Sequence, residues 1–218
     1  MKKVIAIDGP SGSGKTTIAK RIAQDLGLDY LDTGALYRAV AIAFRKENIE
    51  TGESDDTLNA ILRRTAVSFQ NGKVSLNGKD ISEDLRSKEI DHYSSVFSGR
   101  KVVRDFLLDV QRKAAFQHDI VVEGRDTTTV IFPNAHKKIF LDASVEERAK
   151  RRFLQYKEKG IALSLDEAKQ TILERDRRDS NRDIAPLSKA PDAFLVDSSS
   201  FTIDEVAKQI IDFIGKDF

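Results

Sequence analysis

The segment from Val4 to Thr17, VIAIDGPSGSGKTT, constrains this chain more than any other. An apolar, β-branched run (Val4, Ile5, Ile7) ends at Asp8. Gly9-Pro10-Ser11-Gly12-Ser13-Gly14-Lys15-Thr16 then fits G-x-x-x-x-G-K-[ST]. Ile18, Ile22 and Leu26 follow at helical spacing. Strand, glycine loop and helix in that order are the context of a phosphate-binding loop. Glycines let backbone N–H groups converge on an anion, and the helix N-terminus adds unpaired donors and partial positive charge. Gly9, Pro10, Ser11, Gly12, Ser13, Gly14, Lys15, Thr16 and Thr17 are therefore the predicted ATP-phosphate set. Lys15 can reach the β- and γ-phosphates, and the Thr16 hydroxyl can ligate Mg²⁺. The motif says nothing about what is phosphorylated.

Composition narrows the field. A 218-residue chain, 40% hydrophobic and 33% charged, suits one large globular domain with a highly charged surface. A net charge of +1 argues against a dedicated nucleic-acid binder. With no cysteine there is no disulfide, thiol nucleophile or cysteine metal site. His92, His118 and His136 lie too far apart for metal-ligand spacing and read as surface or packing residues. The apolar run after Met1-Lys2-Lys3 is too short for a signal-peptide core, and no run is long enough for a membrane span. A cytoplasmic protein is expected.

Helix is predicted for Lys15–Leu26, stopping near Gly27, and for Ala35 to about Asn48 after a short strand at Asp29–Leu31. Ser54-Asp55-Asp56 should cap a helix at Thr57–Arg64. The texture then changes. Val67–Phe69 and Val74–Leu76 alternate, and Asn71-Gly72 and Asn77-Gly78 punctuate them, so Val67–Ile81 is predicted to be an antiparallel meander. Helices follow at Lys88–Phe97 and Lys101–Phe116, then buried strands at Ile120–Val122 and Lys138–Leu141. Capping boxes at Ser144–Glu147, Ser164–Glu167 and Thr202–Glu205 should open helices at Val145–Lys159, from Ser164 to about Asn181, and at the C-terminus, with a last strand at Phe194–Asp197 between them. Five strands alternating with helices imply an α/β fold around a doubly wound parallel sheet. Ligands then bind beyond the carboxyl ends of the strands, where Asp8-Gly9, Asp32-Thr33-Gly34 and Glu123-Gly124-Arg125-Asp126 all fall.

Phosphoryl transfer needs positive groups around the moving phosphoryl. Arg38, Arg125, the helical cluster Arg148, Arg151 and Arg152, and Arg175 with Asp179 and Arg182 are the candidates. For the helical clusters the competing reading is a solvated helix laced with ion pairs. The crowding of charge from Arg175 to Asp183, just before Ile184-Ala185-Pro186-Leu187, favours a lid over phosphates. Tyr37 fits core packing and base stacking equally well.

Four segments carry a resemblance over nearly the whole chain: Asp8 to Lys15; Leu31-Asp32-Thr33-Gly34-Ala35-Leu36-Tyr37-Arg38-Ala39; Gly124-Arg125-Asp126 with Thr129-Val130-Ile131-Phe132-Pro133; and Arg175-Asp176-Arg177-Arg178-Asp179 through Arg182 to Ala185-Pro186-Leu187. Together they resemble the bacterial cytidylate kinases. The resemblance implies a P-loop kinase fold in a single domain over 1–218, a monophosphate-binding insert at about 49–98 carrying the meander at 67–81, and a helical lid at about 145–182. It implies phosphoryl transfer from ATP to CMP or dCMP with Mg²⁺; one phosphate loop and one acceptor site need only one chain, so a monomer is expected, without a nucleic-acid or membrane partner. Lys15, Arg148, Arg151 and Arg182 would be catalytic, with Arg148, Arg151 and Arg152 in the lid over ATP. Arg38, Arg125 and Arg182 would hold the CMP phosphate, and Ser95, Arg104 and Asp126 would read the cytosine edge. Asp179 would bond the sugar, with Thr33 and Tyr37 completing the CMP site.

One departure from the family pattern matters: Thr128 stands where Arg-Asp-x-Gly-Thr has its glycine. Either the loop is rearranged or the glycine is not needed for a positive φ. The natural chain is expected to bind CMP more weakly than a Thr128→Gly variant. Two rivals stand beside the main reading: a kinase for another nucleoside monophosphate, and a regulatory module that binds ATP and a partner protein.

Overall fold

The computed structural model describes residues 2–70, 72–82, 87–158 and 160–215. Its element order is β1 (Val4–Asp8), α1 (Lys15–Leu26), β2 (Asp29–Asp32), α2 (Thr33–Lys46), α3 (Asp55–Leu62), β3 (Val67–Gln70), β4 (Lys73–Leu76), β5 (Lys79–Asp80), α4 (Lys88–Phe97), α5 (Lys101–Gln117), β6 (Ile120–Glu123), β7 (Lys137–Asp142), α6 (Val145–Glu158), α7 (Leu165–Asn181), β8 (Phe194–Asp197) and α8 (Ile203–Ile214). The main sheet runs β2-β6-β1-β7-β8 with every pairing parallel. Strand β1 is central, and the chain crosses to β2 on one side and to β7 and β8 on the other. That reversal opens a crevice at the carboxyl end of β1.

Alternation along the buried strands builds two cores, one on each face. Ile5, Ile7 and Val121 join Ile18 and Ile22 of α1 and Val206 and Ile210 of α8. Val4, Ile120 and Val122 face Leu36, Val40 and Phe44 of α2 and Val103 and Leu107 of α5. The three-stranded sheet β3-β4-β5 is antiparallel. Too small to bury a core alone, it places Val67, Val74 and Leu76 in the same cluster as α2 and α5. Its second turn, Asn77-Gly78, takes positive φ at both residues (51° and 80°), which matches the right-handed twist of the strands. The first turn pairs Gln70 with Lys73 across two residues, of which Asn71 lies outside the described set.

Most elements fall where the sequence places them, and the differences have local causes. Helix α2 begins at Thr33 because the Asp32 carboxylate accepts the Ala35 N–H at 3.2 Å, and it ends two residues before Asn48, which turns left-handed. Ser54 caps α3 directly, so that helix starts at Asp55. The boxes at Ser164 and Thr202 close in both directions. The one at Ser144 closes by half: Glu147 N–H donates to the Ser144 hydroxyl, but Ser144 N–H donates to Ser199 and the Glu147 carboxylate pairs with Arg151. Lys159, the predicted end of that helix, lies outside the described residues. Residues Thr127–Ile131 form a single π turn that no periodicity signals, with Ile131 N–H donating to Asp126 and Phe132 N–H to Thr127. Among the described residues no helix is long and apolar enough to cross a membrane.

Candidate active site

The carboxyl ends of β1, β2 and β6, together with α6, α7 and the start of α8, enclose a cleft of about 700 Å³. The phosphate-binding loop forms its floor. Gly14 is left-handed (φ 94°) and aims the first amides of α1 at the cavity. The Lys15 ammonium donates to Pro10 C=O at 2.6 Å and Ser13 Oγ at 3.3 Å, so it lies curled over the loop. Of the predicted phosphate set, Gly9 and Pro10 do not line the cavity, and Gly9 is closely packed. A Cβ there would stand 2.0 Å from the Leu141 carbonyl of the neighbouring strand.

The predicted acceptor residues converge on the other half of the cleft. Thr33, Tyr37, Arg38, Ser95, Arg125, Asp126, Asp179 and Arg182 all line it. Arg104 lies just behind, buried, donating to Asp126 and to Ser98 C=O. Arg182 reaches the other Asp126 oxygen at 3.2 Å. Arg125 pairs with Asp179 at 2.9 Å, and Arg38 with Asp32 at 2.5 Å. The Arg104 guanidinium also sits 5.8 Å from the centre of the Tyr37 ring.

The arginines of α6 divide in a way their spacing does not reveal. Arg148 faces away from the cavity: it donates to Ala143 C=O, to Ser11 C=O and to Asp176. Arg148 does not line the cavity, and through Ser11 C=O and Asp176 it braces the phosphate loop against α7. Arg151 lines the cleft and ties Ser13 C=O to Ser198, at 3.3 Å and 2.6 Å. Arg152 lines it too, donating to Ser11 Oγ while its buried Nε has no protein partner. The resemblance gives Arg175, one of the candidate cations, no role of its own. It lines the cleft, and its buried Nε is likewise without a hydrogen-bond partner. Its place in the Arg-Asp-x-Arg-Asp run was the available signal.

The electrostatics describe a cavity with surplus positive charge. Burial, and then the charge of Arg125, push the Lys15 ammonium well below its usual range. The same two causes bring Arg175 down to about 10. Burial pushes the Asp126 carboxyl up, against the opposing pull of Arg104 and Arg182. Burial would raise Asp179 as well, but Arg125, Arg175 and Arg182 together hold it below the usual range. An anion placed among these cations relieves their mutual repulsion, which is the chemistry a phosphate site needs.

Beyond the phosphate loop the cavity runs on to Ser198, Phe201, Thr202 and Ile203 at the start of α8. Phe201 and Ile203 are about half exposed there. In the sequence they were hidden as the flanks of a capping box. Exposed apolar residues on either side of a helix cap were the signal.

Two loops of the cleft meet at Asp8, which is fully buried. Its carboxylate accepts from the N–H and hydroxyl of Thr127 and from the N–H and hydroxyl of Thr128. Thr128 is absent from the residues at positive φ, so the departure from glycine introduces no backbone strain. The structure thus reverses the expectation that Thr128→Gly improves the site, because glycine at 128 would remove a bond to a buried carboxylate.

The comparisons agree with this geometry. A family model described as cytidylate kinase matches residues 5–216. The chain is 47% identical to a cytidylate kinase of Thermodesulfovibrio yellowstonii, covering 100% of both chains. It is 47% identical to one of Thermosipho melanesiensis, covering 95% of this chain and 94% of that one. A solved shikimate kinase from Bacteroides thetaiotaomicron shares the fold, with a TM-score of 0.50 and 11% identity over 97% of this chain and 98% of that chain. A phosphate loop facing an arginine-rich acceptor half, and relatives of this similarity over the whole length, lead to one assignment: the chain belongs to the cytidylate kinase family.

Proposed function

We propose that the cleft carries out the reaction of this family, phosphoryl transfer from ATP to CMP or dCMP giving ADP and CDP or dCDP. The observation that carries the reading is the single cavity that joins the phosphate loop to the Asp126–Arg104–Arg182 cluster, with Arg125, Arg152 and Arg175 between them. ATP would lay its phosphates along Gly12–Thr17, with Lys15 swinging from Pro10 C=O onto the β- and γ-oxygens. Its adenine would rest against Phe201 and Ile203. The acceptor phosphate would sit among Arg38, Arg125 and Arg182, its sugar near Asp179 and Arg175, and its base beside Tyr37 and Ser95.

Asp126 offers a carboxyl oxygen to the exocyclic amino donor of cytosine, and Arg104 and Arg182 hold it in place. No side chain needs to act as general base, because the acceptor phosphate is already ionised. The protein's contribution is alignment of the two oxygens and neutralisation of the charge that spreads over the phosphoryl group. Arg151 and Arg152, reaching over the phosphate loop from α6, and Arg182 would supply that charge as α6 and α7 close and exclude water.

The residues also fit the Mg²⁺ that accompanies ATP. Thr16 faces Glu123, whose carboxyl is raised by burial and then by neighbouring Asp32. Among the described residues no three acidic or histidine side chains form a metal cage of their own. Thr16 with one or two carboxylates is the incomplete set expected of an ion that arrives with phosphate oxygens. Thr16 would hold the ion, which would supply neutralisation of the phosphate charge. We place this monomeric enzyme in the cytoplasm.

ADP release, measured with ATP and Mg²⁺ against CMP, dCMP, UMP, AMP and GMP in parallel, tests the reading. Turnover with CMP and dCMP at least about tenfold above the rest is expected, since a site built to bond one donor rejects analogues that lack it. Preference for another monophosphate would overturn the base assignment. ATP hydrolysis indifferent to every monophosphate would favour a regulatory module.

A further inference from the structure

The carboxylate of Asp8 has about four lone-pair positions, and all of them are used. Oδ1 accepts the Thr127 N–H at 2.9 Å and its hydroxyl at 2.7 Å. Oδ2 accepts the Thr128 N–H at 2.7 Å and its hydroxyl at 2.6 Å. Asp8, Thr127 and Thr128 are each at most 1% exposed. None touches the cavity wall, so none is placed to meet a substrate.

What these residues join is significant. Asp8 immediately precedes Gly9 and the donor-phosphate loop. Thr127 and Thr128 immediately follow Arg125 and Asp126, the acceptor residues. The two segments are separated by 119 residues of chain. Nearby there is no slack. A Cβ at Gly124 would stand 2.6 Å from the Thr33 hydroxyl and 2.7 Å from the Thr127 methyl. The π turn at Thr127–Ile131 begins at the two threonines whose amides turn inward to Asp8.

We propose that Asp8, Thr127 and Thr128 form a clamp that fixes the acceptor loop against the donor-phosphate loop, with the Thr128 hydroxyl as its fourth bond. These are positioning residues, and the proposal rests on the transfer reaction proposed above. Each loop keeps its own ligand contacts when the clamp loosens, so binding persists while alignment suffers. A misplacement of about 1 Å between reacting groups lowers a rate by about 10²-fold. Losing one of four clamp bonds should give a smaller effect of the same kind.

The test uses Thr128→Val, which keeps size and N–H but removes the hydroxyl, and Thr128→Ser, which keeps the hydroxyl. Thr128→Val is expected to lower kcat about tenfold, with KM for ATP and for CMP each within about twofold of the natural chain. Thr128→Ser is expected to restore kcat. In the free protein, hydrogen exchange of the amides at 124–128 should quicken about tenfold in Thr128→Val and not in Thr128→Ser. The exchange arm stands even if CMP proves not to be the acceptor, so failure of the clamp and failure of the functional reading are separable. Unchanged exchange in Thr128→Val would overturn the clamp. So would unchanged kcat alongside normal CMP turnover by the natural chain, or a rise in KM with kcat preserved.

Discussion

Lys15→Met should lower kcat about 10³-fold while the protein stays folded. Removing one preorganised donor from a developing anion costs about 10²–10³ in rate, and Lys15 brings a full charge as well as a donor. It is 5% exposed, and its ammonium rests on Pro10 C=O and Ser13 Oγ within the phosphate loop. Burial and the neighbouring Arg125 already disfavour its charge. Methionine fills a similar volume and relieves that repulsion, so thermal stability should hold or rise. Steady-state kcat at saturating ATP and CMP, beside a melting curve, checks both halves. A kcat within tenfold of the natural chain would remove Lys15 from the chemistry.

Asp126→Ala should produce two losses together. Arg104 is buried, the Arg182 side chain is only 8% exposed, and each gives a hydrogen bond to Asp126. Removing one member of a buried ion-paired cluster leaves uncompensated charge, at a cost of about 3 kcal/mol. Urea unfolding measures that. The second loss belongs to the substrate. KM for CMP should rise about 10²-fold, and KM for ATP should change less than about threefold, because a site's unpaired polar groups penalise the ligand they were built for. Asp126→Asn, which keeps the shape, should narrow the preference for CMP over UMP. Unchanged discrimination in that variant would make Asp126 a structural anion only.

Local features of the chain were readable where the determinants lie within a few residues. The β-branched run of β1, Gly27 ending α1 at φ 65°, and the closed boxes at Ser164 and Thr202 are all of this kind. The convergence of Arg38, Arg125 and Asp126 was also readable, because parallel strands deliver their following segments to one edge, whereas Asp179 and Arg182 at the end of α7 were placed by the resemblance alone. What escaped was set by partners far along the chain. Periodicity puts Arg148, Arg151 and Arg152 on one helix, but Asp176 of α7 and Ser11 of the phosphate loop draw Arg148 out of the cleft. Thr128 looked like an intrusion where close approach favours glycine. Asp8, 120 residues away, turns it into a donor. The π turn has the same origin. Local pattern carries no information on such pairings.

In the proposed reaction, donor and acceptor share one cleft on one chain. Adenosine and cytidine joined 5′ to 5′ through five phosphates test it directly, by inhibition kinetics against each substrate. The account predicts competition with both ATP and CMP, and binding at least about 10²-fold tighter than either nucleotide alone, because linking the two halves makes the second binding event intramolecular. Competition with ATP alone would mean that the acceptor binds elsewhere, and the arginine-rich half of the cleft would then need another explanation.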